Sequence, residues 1–219
     1  MQFSEMITAV SELINQPLTD DSQTVTLTSV KRNLNRGYKK IVNRVVALNQ
    51  DYYLRLAKAD LVANQSTYAL PEDFKRLRRL DISFDGTTRS KGVRIDRQTL
   101  YDPMSSVSEA SPLYSLISDG IELYPTPVSD VTNGLWLWYV ENVSDMVADD
   151  AEANVPLGYD DLCIDYAVGM AKMTQGEPEE GQLYNGNFAV GLEAMTQEQA
   201  TRADDNNDFV LMRDGINEI

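Results

Sequence analysis

The chain has 219 residues, 42% of them hydrophobic and 24% charged, a balance that allows a buried core and excludes a disordered or collagen-like chain. It contains no His and a single Cys, Cys163, which excludes Ser-His-Asp and Cys-His catalysis, internal disulfides and thiolate metal clusters. The net charge is −15 and unevenly spread: residues 1–100 carry 16 Lys and Arg against 11 Asp and Glu, net +5, whereas residues 101–219 carry 3 against 23, net −20.

Phe3, Met6, Ile7, Val10 and Ile14 recur at helical spacing before Pro17, which predicts a short amphipathic helix over residues 3–16. Thr28 and Ser29 offer an N-cap for a second helix ending near Asn49, with Val30, Leu34, Ile41, Val45 and Leu48 on its apolar side. Its other side carries Arg32, Arg36, Lys40 and Arg44, each four residues from the last, with Lys31 and Lys39 nearby. This basic stripe reads first as a solvated face, next as a subunit or partner contact, and last as a nucleic-acid surface.

From Tyr52 to about Val143, short alternating runs are bounded by Gly, Pro, Asn and Asp, the texture of β-structure. Strands are predicted at 52–59, 66–70, 76–84, 91–96, 112–117, 120–124 and 135–143. Asp85-Gly86 and Asp119-Gly120 mark tight turns in which Gly supplies a positive φ. Leu135, Leu137 and Tyr139 alternate with Trp136, Trp138 and Val140, so that strand is apolar on both faces. Such a strand is central and covered on two sides, or has one face packed on another subunit.

Helical texture returns at Pro156, with Tyr159, Leu162, Cys163, Tyr166, Met170 and Met173 as an apolar side. Cys163, between Leu162 and Ile164, reads as an inert buried thiol. Gly176-Glu177-Pro178 breaks the pattern, and a last helix over 179–201 presents Leu183, Tyr184, Phe188, Leu192 and Met195, so the two form a helical hairpin. After Arg202 comes an acidic, Asn-rich tail, expected to be extended and to order on docking through Phe209, Val210, Leu211, Met212 and Ile216.

No apolar run approaches the ~20 residues of a spanning helix, and residues 1–10 lack the basic start and apolar stretch of a secretory signal. The expectation is a protein that works inside a cell or particle, with no membrane partner. Neither Gly-rich nucleotide fingerprint occurs. Asp204, Asn206 and Asp208 begin a calcium-loop pattern, but Phe209 stands where Gly is needed and Gly215 where the bidentate Glu belongs. Asp160 and Asp161 are the default carboxylates for an enzymatic reading, with a helix N-terminus the preferred one. No catalytic residue, metal or cofactor is assigned.

Tyr68-Ala69-Leu70-Pro71-Glu72-Asp73-Phe74 reads as a strand ended by Pro71 and a tight turn that returns Phe74 to the core. Asn35-Arg36-Gly37-Tyr38-Lys39-Lys40-Ile41 precedes it. Ile121-Glu122-Leu123-Tyr124-Pro125-Thr126-Pro127, the strand Leu135 to Val140, Val155-Pro156-Leu157-Gly158-Tyr159-Asp160-Asp161-Leu162 and Tyr166-Ala167 follow. In this order, over about residues 28–195, the chain resembles the head-to-tail adaptor (connector) proteins of tailed bacteriophages. The resemblance implies an α+β fold: a helical bundle formed by N- and C-terminal helices, residues 1–51 and 146–201, with a β-rich, sandwich-like insertion at 52–145; the tail at 202–219 lies outside the resemblance.

It also implies a structural virion protein and not an enzyme, assembled in the host cytoplasm and located in the virion neck. Such proteins form a ring, commonly a dodecamer, under the portal protein, and genomic DNA passes through without sequence-specific binding toward the tail or next neck protein. On this reading Phe209, Val210, Leu211, Met212 and Ile216 dock on the portal. Arg32, Arg36, Lys40, Arg44, Trp136 and Trp138 contact subunits or partners. The split charge suits a ring, in which each subunit meets its neighbour through two different surfaces. The alternative from another class is a nucleic-acid-binding module using the basic helix 29–49.

Overall fold

In the computed structural model the described residues are 1–19, 24–49, 51–96 and 107–214, with side chains as far as Thr201. They divide into two compact units, Met1–Tyr52 with Val143–Ile219, and Tyr53–Asn142.

The first unit is built from α1 (Phe3–Leu13), α2 (Leu27–Leu48), α3 (Asp161–Gln175) and α4 (Pro178–Asp214). A capping box starts α1, with the Gln2 N–H donating to Glu5 Oε2 at 2.8 Å. Phe3, Met6, Val10 and Ile14 are buried. The N-cap of α2 is Thr26, upstream of the expected Thr28 and Ser29, and its hydroxyl accepts the Ser29 N–H at 3.1 Å. Val30, Leu34, Tyr38, Ile41 and Val45 then form one buried stripe. Gly37 lies in that stripe and lets α3 come close, since a Cβ there would stand 3.1 Å from Tyr166 Cβ.

Pro156 precedes α3 in a turn closed by Tyr159 N to Pro156 O at 3.2 Å, so the helix begins later than its proline suggests. Buried Cys163, Ile164, Ala167, Val168 and Ala171 let α3 pack against each of the other helices. It stops at Gly176, whose left-handed φ of 85° is the usual helix exit, and Pro178 opens α4. The buried positions of α4 include Gly181, Phe188 and Met195, one every seven residues, and this narrow stripe leaves Leu183 63% exposed rather than in the core.

Helix α4 also corrects the expected tail. Its backbone continues to Asp214, where sequence reading ends the helix near Thr201 and makes 202–219 extended. Between Arg202 and Asp214 there is neither Pro nor Gly, so nothing interrupts the hydrogen-bond ladder before Gly215. Phe209, Val210, Leu211 and Met212 belong to its final turns, and Ile216 lies outside the described residues.

The second unit contains β1 (Leu54–Leu61), β2 (Thr67–Ala69), β3 (Phe74–Ile82), β4 (Ser90–Lys91), β5 (Val93–Arg94), β6 (Leu113–Leu116), β7 (Gly120–Tyr124) and β8 (Val131–Glu141). One sheet runs β1-β8-β3-β4 and the other β2-β7-β6-β5, antiparallel throughout except for β5 with β6. Leu61, Leu80, Ile82, Leu135, Leu137 and Tyr139 from the first sheet meet Tyr68, Tyr114, Ile121 and Leu123 from the second in one core, which makes the unit a sandwich. The α+β class, with helices from both chain ends around a β-rich insertion, is the one the resemblance implies.

Two glycines explain local departures from the expected strands. At Gly92 the predicted strand 91–96 changes sheets, with Gly92 N bonded to Leu80 O at 2.8 Å and Val93 N to Pro112 O at 2.9 Å. A Cβ at Gly92 would lie 3.0 Å from the Tyr114 ring. Gly86 does take a positive φ, 76°, whereas Gly120 does not; there a Cβ would come within 2.8 Å of Tyr68 O, so closeness of the neighbouring strand is the constraint.

Candidate interaction surfaces

The basic face of α2 is largely met within its own unit. Lys39 Nζ lies 2.7 Å from Asp145 Oδ1, and Lys31 Nζ 3.9 Å from Asp149 Oδ1. Arg44 Nε donates to Thr196 Oγ1 at 2.9 Å and its Nη2 lies 3.6 Å from Glu193. Lys40 Nζ stands 4.4 Å from the Tyr166 ring centroid. Arg32 and Arg36 are exposed and make no ion pair among the described residues. The expected stripe is therefore split: Lys40 and Arg44 are drawn onto α3 and α4, and Arg32 and Arg36 remain open.

Of the acidic partners, Asp145 and Asp149 sit on the segment that returns to the bundle after the β unit, and Glu193 on α4. Asn35 binds that segment at Met146, Phe3 N donates to Ala151 O at 2.8 Å, and the Met1 ammonium lies 3.0 Å from Asp160 Oδ2. Asp160 is the N-cap residue of α3 and Asp161 is in its first turn, the placement that suits the positive end of a helix. Because basic α2 folds together with the acidic C-terminal half, the first unit holds 9 Lys and Arg against 22 Asp and Glu, and the second 10 against 12. The polarity along the sequence is thus not a polarity between units. Cys163 is fully buried, and burial pushes its thiol up to about 12, which removes the nucleophilic thiolate at ordinary pH.

A second surface lies on the first sheet. β8 is indeed a central strand, with Leu135, Leu137 and Tyr139 turned to the sandwich core. The opposite face is not covered within the unit, and Trp136 and Trp138 are half-buried there. Register sets Lys58 and Asp81 on either side of Trp136, and Leu56 and Arg79 on either side of Trp138. Trp136 Nε1 donates to Asn133 O at 2.7 Å. Lys58 Nζ and Arg89 Cζ lie 3.9 and 3.6 Å from its ring centroid, an indole flanked by two cations. Arg79 Nε donates to Asp81 Oδ1 at 2.7 Å.

Sequence reading found the two Trp residues and missed Lys58, Arg79 and Arg89. For Lys58 the signal was the alternation along β1, which sets Leu56 and Lys58 on one face, but only the pairing register says that Lys58 meets Trp136 and that Arg79 of β3 meets Trp138. Tyr139, from the buried face, donates its hydroxyl to Asp73 Oδ1 at 2.8 Å and stacks on Phe74 at 5.8 Å. The turn after Pro71, with Phe74 N bonded to Pro71 O at 3.0 Å, is what brings both residues there.

Among the described residues, no group of three or more His, Cys, Asp or Glu side chains is placed to hold a metal ion, and no helix is long and apolar enough to cross a membrane. No curated protein matches the sequence. The sequence profile of the SU10 adaptor protein family matches residues 1–209, through both units. The chain accordingly belongs to the SU10 adaptor protein family, and its role is that of a bacteriophage adaptor, a structural component of the virion neck.

Proposed function

We propose that this adaptor forms a ring, of twelve copies, beneath the portal protein, and that the ring extends the DNA channel toward the tail or the next neck protein. The observation that carries the reading is the family match along residues 1–209, which includes the helices and the sandwich alike. The charge is in keeping with it. A helical unit with 22 Asp and Glu against 9 Lys and Arg makes a poor adhesive for phosphates, since binding of duplex DNA depends on Lys and Arg releasing its counterions. DNA would slide past such a wall without sequence-specific contact. The role needs no cofactor and no catalytic residue.

On this proposal the end of α4, with Phe209, Val210, Leu211, Met212 and then Ile216, docks on the portal, and the open cations Arg32 and Arg36 meet a neighbouring subunit or partner. The test is electron microscopy of the purified chain added to DNA-filled heads that carry their portal. A ring stacked under the portal is the expected result; a chain that stays monomeric beside the heads at physiological salt overturns the reading. Deleting residues 203–219 is expected to abolish attachment while leaving the thermal unfolding of the bundle unchanged.

A further inference from the structure

The chain has two Trp residues, and both stand on the same open face of β8. Around them are Lys58, Arg89 and Arg79, with Leu56 37% exposed at the edge. Asp81, beside Trp136 in register, is buried and bound by Arg79, so it neutralises neither Lys58 nor Arg89. Those two cations make no ion pair among the described residues. A strip that joins half-open indoles to unpaired cations is suited to a surface that offers both carboxylates and apolar side chains, because aromatic residues and Arg dominate contact centres while charge selects the partner.

The helical unit carries such a surface at the turn between α3 and α4. Glu177 and Glu180 close there on one cation, Lys172, whose Nζ is 2.7 Å from Glu177 and 2.8 Å from Glu180, and Glu179 lies between them in sequence. Glu179 is exposed and has no ion pair among the described residues. On the helical turns that flank it, Met173 of α3 is 40% and Leu183 of α4 63% exposed. A ring requires two different surfaces of one chain to fit each other, and these two match in charge and in apolar content. We infer that the Trp136–Trp138 strip of one copy receives the α3–α4 turn of a second copy, with Glu179 meeting Lys58 and Arg89, and Met173 and Leu183 meeting the indoles. The inference rests on the ring reading and adds to it the surfaces that close the ring.

Because both Trp residues lie on the strip, intrinsic fluorescence reads its occupancy directly. Full-length chain is added to portal rings, with emission and ring formation followed together, the latter by electron microscopy. Emission is expected to shift to shorter wavelength as the ring forms. K58E/R89E and, separately, E179K are expected to weaken assembly at least about tenfold, and the chain carrying all three changes is expected to recover it, since the pair is then restored with signs exchanged. Each variant's melting transition is recorded first: E179K is expected to leave it in place, and K58E/R89E to lower it modestly without unfolding the chain, since both cations sit on the Trp136 ring. A ring that forms with unchanged Trp emission, or variants that assemble like the parent, or a triple variant that does not recover, overturns the inference and leaves the ring reading standing. Absence of any ring from the parent chain overturns both. A shift produced by duplex DNA alone would assign the strip to nucleic acid and overturn the contact between copies.

Discussion

Asn35 on α2 and Met146 on the returning chain hold each other by paired hydrogen bonds: Met146 N donates to Asn35 Oδ1 at 2.8 Å, and Asn35 Nδ2 donates to Met146 O at 3.0 Å. An amide presents a donor and an acceptor side by side and so can bind a backbone residue as a strand neighbour would. Met146 is itself buried, so removing the amide would strand backbone groups away from water. Asn35→Leu is expected to cost about 1–3 kcal/mol in a urea melt; a loss inside experimental error would show that water replaces the amide freely.

Gly37 offers a test of helix packing. A methyl group there would face Tyr166 Cβ at 3.1 Å and Cys163 Cα at 3.4 Å, atoms that cannot move unless α3 moves. Helix propensity favours Ala by up to about 1 kcal/mol, but overpacking against fixed atoms costs about 1–3 kcal/mol. Gly37→Ala is therefore expected to be neutral to mildly destabilising, and Gly37→Val clearly so, by calorimetry. Equal melting temperatures for the parent and the Val variant would show that α2 and α3 are not in close contact here.

For the Trp strip, half-burial lowers the expected cost below the ~3–5 kcal/mol of a fully buried ring. Trp138→Ala is expected to lose about 1–2 kcal/mol. Trp136→Ala is expected to lose somewhat more, since Lys58 and Arg89 each contribute about 0.5–1 kcal/mol on its ring. Denaturant melts of the two variants followed by circular dichroism check the order; a larger loss for Trp138 would mean that the two cations add nothing.

Tyr139 should make the β unit sensitive to alkali. Burial, and then the Asp73 carboxylate that accepts its hydroxyl, push the phenol from 10.0 up to about 12. The folded state thus favours the protonated form, so the contribution is complete below about pH 10 and is lost as pH rises toward about 12. Stability is expected to fall across that window, with tyrosinate absorbance rising as the unit unfolds. Tyr139→Phe should flatten the slope without abolishing it, because burial also raises Tyr68 and Tyr114. Identical slopes for both proteins would show that the fold does not hold this phenol protonated.

The α+β class was legible because its signals are local. Period 3.6 in Phe3 to Ile14 and Val30 to Leu48, and period 2 in Leu135 to Val140, depend only on which face of an element each side chain takes. Val30, Leu34, Ile41 and Val45 are buried as that period requires. Where the period was read too broadly it failed: Leu183 fell on the solvent side of α4, since one narrow stripe of a long helix is enough to cover α3. The end of α4 was misplaced for a related reason. Acidity and Asn content suggested a tail, while the only firm stop signal, Gly215, lay beyond Asp214.

The sequence by itself determined the element types, the central Trp-bearing strand and the excess of acid. Only tertiary structure decided what the charges do. Lys39 meets Asp145 and Arg44 meets Glu193, partners more than a hundred positions away whose approach depends on the chain leaving the bundle, building the sandwich and returning. Lys58 and Arg89 reach one indole because β1 pairs with β8 on one side, while β3 on the other side carries β4, which Arg89 immediately precedes. Periodicity assigns a residue to a face within its own element, but which distant residue shares that face is set by packing between elements, and no short-range pattern carries that information.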